Sequence, residues 1–492
     1  MPQQSITVNI IIMRLQTITK IENKGMFIGE CPLPGETRAE GVYPGHPNGM
    51  QLSRDRFLIF YATRAHRGVD DDLSGIYQLR ADSWDGAVLK EGFVARTQDD
   101  WDPLNEGARH VKQHGHPSGF GVPKGALIDG HRVPHENIFV AMWREVARAR
   151  NPETGWLEEV SVRPDLWELT SAARWRHFRL NDAGDDIEWL TEVETMRLPG
   201  QGTEFLKGRP DVVGMIKGFV PAVPLDDSCT AWIDLNSACK VGGANVGSSK
   251  SRGVLPGIYR FNSKTSRYEW NEVGPLSEWG LYEAAVARRG KQIVYMARAS
   301  GTAQPLPPEA GKYRNHVHYH TTETPIEPEL NFIPAFDQPS SGPRSFFTGP
   351  DGRFWKLGGS VAQSPYGEER NPIYMEEILP EEGFRVGERH LILDGEADNP
   401  GIPLPVWIDF PKLLPHTGGT EQWMIFRVRG IGLSYSPEMY ETDLQQIGRG
   451  ERRPGVPFIR MLTEEEFRHT GIYAAKVHYR EPQSAAWSFA SL

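Results

Sequence analysis

The sequence predicts an all-β protein: a single β-propeller of six blades, with seven as the alternative count. Three observations carry this. No long amphipathic helical stretch runs through the 492 residues. Six apolar runs recur instead: Arg56-FLIFYATR, Asn137-IFVAMWR, Thr230-AWIDL, Gln292-IVYMAR, Arg353-FWKLGG and Gln422-WMIFRVR. Short β-branched and aromatic runs bounded by Gly, Pro, Asp and Asn read as strands. Their starts lie about 60 to 90 residues apart, so six units fill the chain. Finally, RLNDAGDDIEW (179–189) and RFNSKTSRYEW (260–270) share Arg, Asn, Glu and Trp at identical offsets, 81 residues apart.

Regular units of four-strand size cannot bury both faces alone and must stack about an axis. Taken in order, residues 1–40 form an N-terminal extension, the six units follow, and 435–492 close the domain. The closing segment holds one more strand, IYAAKVHYRE (472–481). A seventh blade would lie in 150–220 or use that strand. Segments 98–135, 301–330 and 380–404 are loops at blade ends, where propellers build their sites. No low-complexity linker divides the chain, so one domain spans 1–492.

Composition narrows the partners. With 54 Lys and Arg against 64 Asp and Glu, the net charge is −10. Such a field excludes a broad nucleic-acid or anionic-membrane footprint, and an anionic ligand must be caught by local bases. Cys31, Cys229 and Cys239 form neither a disulfide framework nor a zinc spacing. The start MPQQSITVNIIIMR carries no basic n-region, and its apolar run is too short for a signal or a span. A cytoplasmic location is the expectation.

Several strand signals end in arginine. Arg64, Arg144, Arg298 and Arg429 each close one, and Arg427 lies two residues before Arg429. If these are innermost strands, their ends converge on the central pit, and guanidinium forks suit a carboxylate sugar. The first unit adds His46 and His66, twenty residues apart. Arg64 and Arg67 flank His66 and favour its neutral, base-competent form. Asp70, Asp71 and Asp72 follow, able to serve as acid or to hold a histidine tautomer. His114 and His116, and the string NHVHYH with His316, His318 and His320, are the metal-like groups. Neither set has a convincing complement, so no metal or other cofactor is required. In LYEAAVARRGKQIVYMAR, Glu283 and Arg298 meet if the two strands form a hairpin.

These residues carry a resemblance. Blade one, with its strand, arginine, DDD loop and GIYQLRADSWDG, looks like the opening blade of the sialidase-like propellers. Ser83-Trp84-Asp85-Gly86 and Ser263 to Trp270 resemble degenerate Asp-boxes. The Glu283–Arg298 arrangement is similar to the sialidase segment bearing the tyrosine-activating Glu and one arginine of the carboxylate triad. SGPRSFFTGPDGRFWKLGG, with Arg344, resembles a segment that opens a later blade. His46 stands where the first sialidase arginine belongs, and GIPLPVWIDF has no Tyr at the nucleophile's place. A His followed twenty residues later by another His is also similar to the propeller polysaccharide lyases and rhamnosyl-glucuronate hydrolases.

The resemblance implies a carbohydrate-active enzyme that cleaves beside an acidic sugar, as a sialidase-like hydrolase or a His-dependent uronate lyase. His46, His66, Asp71 and Glu283 are its catalytic candidates, and Arg64, Arg144, Arg298 and Arg344 its substrate clamps. The alternative is a propeller that binds a glycan or protein without chemistry.

Overall fold

Six antiparallel sheets, each built on a four-strand path, stand around one axis in the computed structural model. It describes residues 12–13, 18–22, 43–64, 72–96, 110–123, 125–128, 131–132, 138–150, 157–159, 171–196, 212–216, 222–226, 229–240, 252–299, 316–339, 344–359, 371–394, 407–416, 418–429, 471–483 and 488–489. Among them the helical content is one 3-10 turn, Pro380–Glu382.

Blade one runs Tyr43–Ser53, Arg56–Arg64, Asp72–Ala81, Val88–Ala95, each strand paired with the next. Blade two takes His110–Phe120, Phe139–Arg150, Ser171–Leu180 and Ile187–Trp189. Blade three takes Val212–Ile216, Ala231–Lys240, Arg252–Asn262 and Arg267–Val273. Blade four is Leu281–Arg289, Gln292–Ala299, His316–Thr322 and Ile333–Pro339; blade five is Ser345–Thr348, Phe354–Gly358, Ile373–Leu379 and Arg385–Leu393. Blade six joins the two ends of the chain. Trp407–Leu413, Gly419–Arg429 and Gly471–Gln483 are completed on the outer side by Ile12–Met13 and Ile18–Glu22.

The six apolar runs fall one to each blade, but as second strands rather than innermost ones. A second strand is paired along both edges and covered on both faces, so it reads as an unbroken apolar run. The first strands ring the axis instead. Those of blades four, five, six, one and two contact one another in that order. One of them, His110–Phe120, lies in a segment expected to be a loop, as do the strands His316–Thr322 and Arg385–Leu393.

Six apolar clusters fill the gaps between neighbouring blades. Phe60 meets Phe139 and Trp143 between blades one and two, and Met142 and Trp175 meet Tyr259 and Trp270 between two and three. Leu235 and Ile258 face Val286 and Tyr295; Met296 and Tyr319 face Phe346 and Phe354. Trp355 and Leu357 pack on Met424 and Phe426. Ile425 and Ile472 of blade six pack on Phe57 and Trp84 of blade one, which closes the ring. Each such side chain contributes about 1.5–3 kcal/mol on leaving water, so cohesion is shared among all six seams.

The two long repeats form the same hairpin, between third and fourth strands. In each, an Asn side chain organises the turn. Asn181 Oδ1 accepts from the backbone N–H groups of Asp185 and Asp186, and Asn262 Oδ1 from that of Lys264. The Trp that ends each repeat does different work. Trp270 is fully buried and stacks on Tyr259, its indole filling the space that a side chain at Gly257 would need. Trp189 is half-buried, against Phe178 and Tyr77 of blade one, with Arg176 over its ring. Trp270→Ala is expected to cost about 3–5 kcal/mol, Trp189→Ala clearly less. Urea midpoints of the two variants check this, and equal losses would contradict it.

His177 is a buried tie between blades two and three. The Tyr268 backbone N–H donates to its Nε2 at 3.1 Å. Burial pushes its pKa down to about 4, and burial does the same for His318. The unfolded chain takes up these protons near pH 6.5 while the folded protein refuses them until about pH 4. Stability therefore falls as pH drops through that window, at about 1.4 kcal/mol per pH unit for each proton. His177→Gln keeps an acceptor and removes the titration, so its stability should fall less steeply between pH 6.5 and 4. An unchanged slope would show that His177 carries none of the acid sensitivity.

Candidate functional site

Four of the six innermost strands share one irregularity. In blade one Gly45 pairs with Ala62 and Asn48 with Phe60, so His46 and Pro47 together face Tyr61. Blade two repeats this with His116 and Pro117 facing Trp143, blade four with Glu283 and Ala284 facing Ala297, and blade six with Phe410 and Pro411 facing Phe426. Two residues opposing one is a β-bulge, which bends the strand and re-aims a side chain. The first residue of each bulge is left-handed, with φ of 49° at His46, 54° at His116, 48° at Glu283 and 52° at Phe410. Such a backbone costs a non-glycine residue about 1–3 kcal/mol and concentrates at functional sites. Proline follows in three of the four, where its missing N–H costs the ladder nothing.

The bulges bring His46, His116 and Phe410 together. The two imidazoles stack with centroids 3.6 Å apart and planes 23° apart. The Phe410 ring stands edge-on to His46 at 4.1 Å. Both histidines are buried. Asn48 Nδ2 donates to the Pro117 carbonyl at 3.0 Å, and the Ser345 hydroxyl donates to that of Pro411, so side chains of neighbouring blades take up bulge carbonyls.

Arginines flank this group in a regular order. Phe60, Met142, Leu235, Met296, Leu357 and Ile425 are equivalent positions on the second strands, each packed toward the following blade. Two residues on, the same face carries Ala62, Arg144, Ser237, Arg298, Gly359 and Arg427. Arginine thus occupies blades two, four and six, and a small residue the blades between. Arg427, not Arg429, is the counterpart of Arg144 and Arg298; it is fully buried and lies over the Phe410 ring at 5.6 Å. Arg298 lies over the Tyr282 ring and pairs with Glu283, Nη1 to Oε2 at 2.6 Å. That is the hairpin contact expected from the sequence.

Arg344 enters from blade five by another route. Its Nη1 donates to the Gly359 carbonyl, and a Cβ on Gly358 would stand 3.0 Å from its Cγ. Behind it, Lys356 Nζ and Glu376 Oε2 form a buried pair at 2.7 Å, with Arg389 on the other carboxylate oxygen at 2.6 Å. Burial alone would raise the Glu376 pKa; Lys356, Arg344 and Arg389 reverse this and hold it ionised. Burial draws the Lys356 ammonium below its ordinary value.

Other candidates stand apart. His66, Asp70 and Asp71, and the side chains of Arg64, Asp72 and Arg429, lie outside the described residues. His316, His318 and His320 line one strand face as expected, buried among Phe336, Tyr295 and Phe332. Among the described residues no three potential ligands gather around a metal position. Nothing in the spacing of the sequence joins His116 to His46 or singles out Phe410. The tripeptide Gly-His-Pro at both 45–47 and 115–117 was the available signal.

No known family model matches the chain, and no curated protein matches its sequence. Solved structures do share its architecture. The Trypanosoma rangeli sialidase with the inhibitor DANA aligns at TM-score 0.50 and 9% identity, over 89% of this chain and 61% of that one. A mutant of that sialidase displaying trans-sialidase activity gives 0.51 and 8%, over 89% and 62%. The α-L-arabinofuranosidase of Fusarium graminearum aligns at 0.43 and 9%, over 95% and 98%. This chain spans about three-fifths of the sialidase chains. At such identities the sialidases establish the fold alone: a six-bladed propeller of the sialidase-like kind.

Removing either partner of the Glu283–Arg298 pair strands a mostly buried charge. A double-mutant cycle of Glu283→Ala and Arg298→Ala is expected to give a coupling of about 2 kcal/mol. Additive losses would show that the pair contributes nothing to stability.

Proposed function

We propose that the protein cleaves a glycosidic bond beside an acidic sugar by β-elimination, with imidazole as the base. The stacked His46–His116 pair, set among arginines at one end of the ring, is the observation that carries this reading. A protein of net charge −10 that gathers Arg144, Arg298, Arg344 and Arg427 near its innermost strands favours an anionic ligand there. A carboxylate sugar answers that charge, and the sialidase neighbours act on sugars of that kind.

In the proposed reaction the C5–H bond of a uronate breaks and the proton passes to His46. The electron pair forms a C4–C5 double bond, the C4–O bond breaks, and the leaving oxygen takes a proton from His116. Arg298 or Arg144 neutralises the carboxylate and the enolate-like charge that develops on it. Stacking suits this division of labour, because two imidazolium rings in contact repel and double protonation is disfavoured. Hydrolysis is less well supported. Phe410 offers no nucleophilic atom at the blade-six bulge, and Glu283 is the one carboxylate among the four bulge residues, where two carboxyls must flank the bond. A binding-only propeller is less well supported too, since it predicts arginine-ended strands that do not share one end of the ring.

Incubation with uronate oligosaccharides is expected to release a product with an unsaturated ring, seen as rising ultraviolet absorbance. His46→Ala should abolish it. Arg298→Lys keeps the charge without the planar fork and should lower turnover of acidic substrates about 10²-fold, sparing neutral ones. Cleavage without ultraviolet absorbance would indicate a hydrolase; binding without cleavage would indicate a lectin-like role.

A further inference from the structure

Blade two carries a second ionisable group on the face opposite Arg144. His114 stands directly across from Glu145 on the first pair of strands. Arg174, on the third strand, donates to Glu145 Oε1 twice, from Nε at 3.0 Å and Nη2 at 2.7 Å. The other carboxylate oxygen, Oε2, lies 3.5 Å from His114 Nδ1, at ion-pair range. Trp143 Nε1 donates to the same Nδ1 at 3.2 Å. His114, Glu145 and Trp143 are all buried.

One ring nitrogen therefore faces a donor and an acceptor, and its proton decides between them. Neutral His114, carrying its proton on Nε2, accepts from the Trp143 indole. Protonated His114 has N–H at Nδ1, which opposes the indole N–H and turns to Glu145, already oriented by Arg174. Among the described residues the charged and titratable groups nearest in the blade are Glu145, Arg174 and Arg144, with His116 next along the strand and His46 stacked on it.

The position of His114 gives the exchange a consequence. The regular ladder that begins at His110 runs through His114–Glu145 and Gly115–Arg144 and stops at the bulge of His116, so one ladder pair separates the two histidines. Gly115 is held in the ladder by Arg144, so a shift of the strand at His114 is passed on to the imidazole that stacks on His46.

We infer that His114, Glu145 and Arg174 form a proton-responsive brace that positions His116. It deepens the reading of His46 and His116 as the acid–base pair and rests on that reading only for its effect on catalysis. His114 is a positioning residue here, not a catalytic one.

The test uses the full chain, labelled with 15N at its 15 histidines, with signals assigned by single substitutions. At alkaline pH the His114 signals should report the proton on Nε2. In Glu145→Gln the anionic acceptor is lost, and the His114 midpoint should fall by about one pH unit or more. In His114→Gln, whose amide offers both acceptor and donor, the His116 signals should lose the inflection that tracks His114 in the wild type. An unmoved His114 midpoint in Glu145→Gln overturns the inference. So does a His116 response identical in wild type and His114→Gln, which keeps the test open if Glu145→Gln fails to fold. On acidic glycans, Glu145→Gln should shift the acid limb of the kcat profile and leave KM unchanged. Intact imidazole coupling in a protein that cleaves no such glycan would sink the proposed function and leave the brace standing.

Discussion

The bulge of the innermost strands is the constraint on which the candidate site depends. A regular strand would send alternate side chains into the two inter-blade seams, where apolar packing leaves no room for chemistry. Inserting one residue breaks that alternation and frees a side chain for the axis. The left-handed backbone at His46, His116, Glu283 and Phe410 is the cost. Contacts between blades offset it: Asn48 and Ser345 hold the carbonyls of Pro117 and Pro411, and the stacked rings brace each other. The bulges at His46, His116 and Phe410 are held by neighbouring blades, so this part of the site exists only in the assembled ring.

The arginines obey the same geometry. Each of Arg144, Arg298 and Arg427 stands two residues beyond the equivalent seam residue, Met142, Met296 or Ile425, on the same face of its strand. A guanidinium there can rest its stem on the core and keep its head among polar and aromatic groups. Glu283 tempers one of them and the Phe410 ring faces another. Between them the blades carry Ala62, Ser237 and Gly359, and Gly358 leaves the space that Arg344 takes. The basic character of the pit is thus local and compatible with an acidic surface elsewhere.

Much of the architecture was legible because second strands are the most buried elements of a blade. Burial on two faces and pairing on two edges leave a continuous apolar word such as FLIFYATR or IVYMAR, one for each blade. The innermost strands were illegible for the opposite reason. Tyr43–Ser53 reads YPGHPNGMQLS, whose glycines and prolines spell a turn by every local rule, yet it is an 11-residue strand. The residues that make the bulge hide the strand, and with it the stacking of His46 on His116. Glu283 and Arg298 were foreseeable because a hairpin relates them; the contact of His46 with Phe410 crosses from one blade to another and has no sequence signature. Nor does spacing separate Arg427 from Arg429, which stand two residues apart on one strand.

Blade six is assembled from both ends of the polypeptide, with Ile12 paired to Tyr479 and Ile18 to Ala475. A ribosome makes its outer strands long before Gly471–Gln483, the strand they pair with. The remaining blades are formed from contiguous segments and are free to condense as they emerge. During that interval the early segment has no edge to join, and the last seam, between Ile425 and Phe57, stays open to water. Because the His46 and Phe410 strands flank that seam, the surroundings of the candidate site wait for Gly471–Gln483 to join the ring.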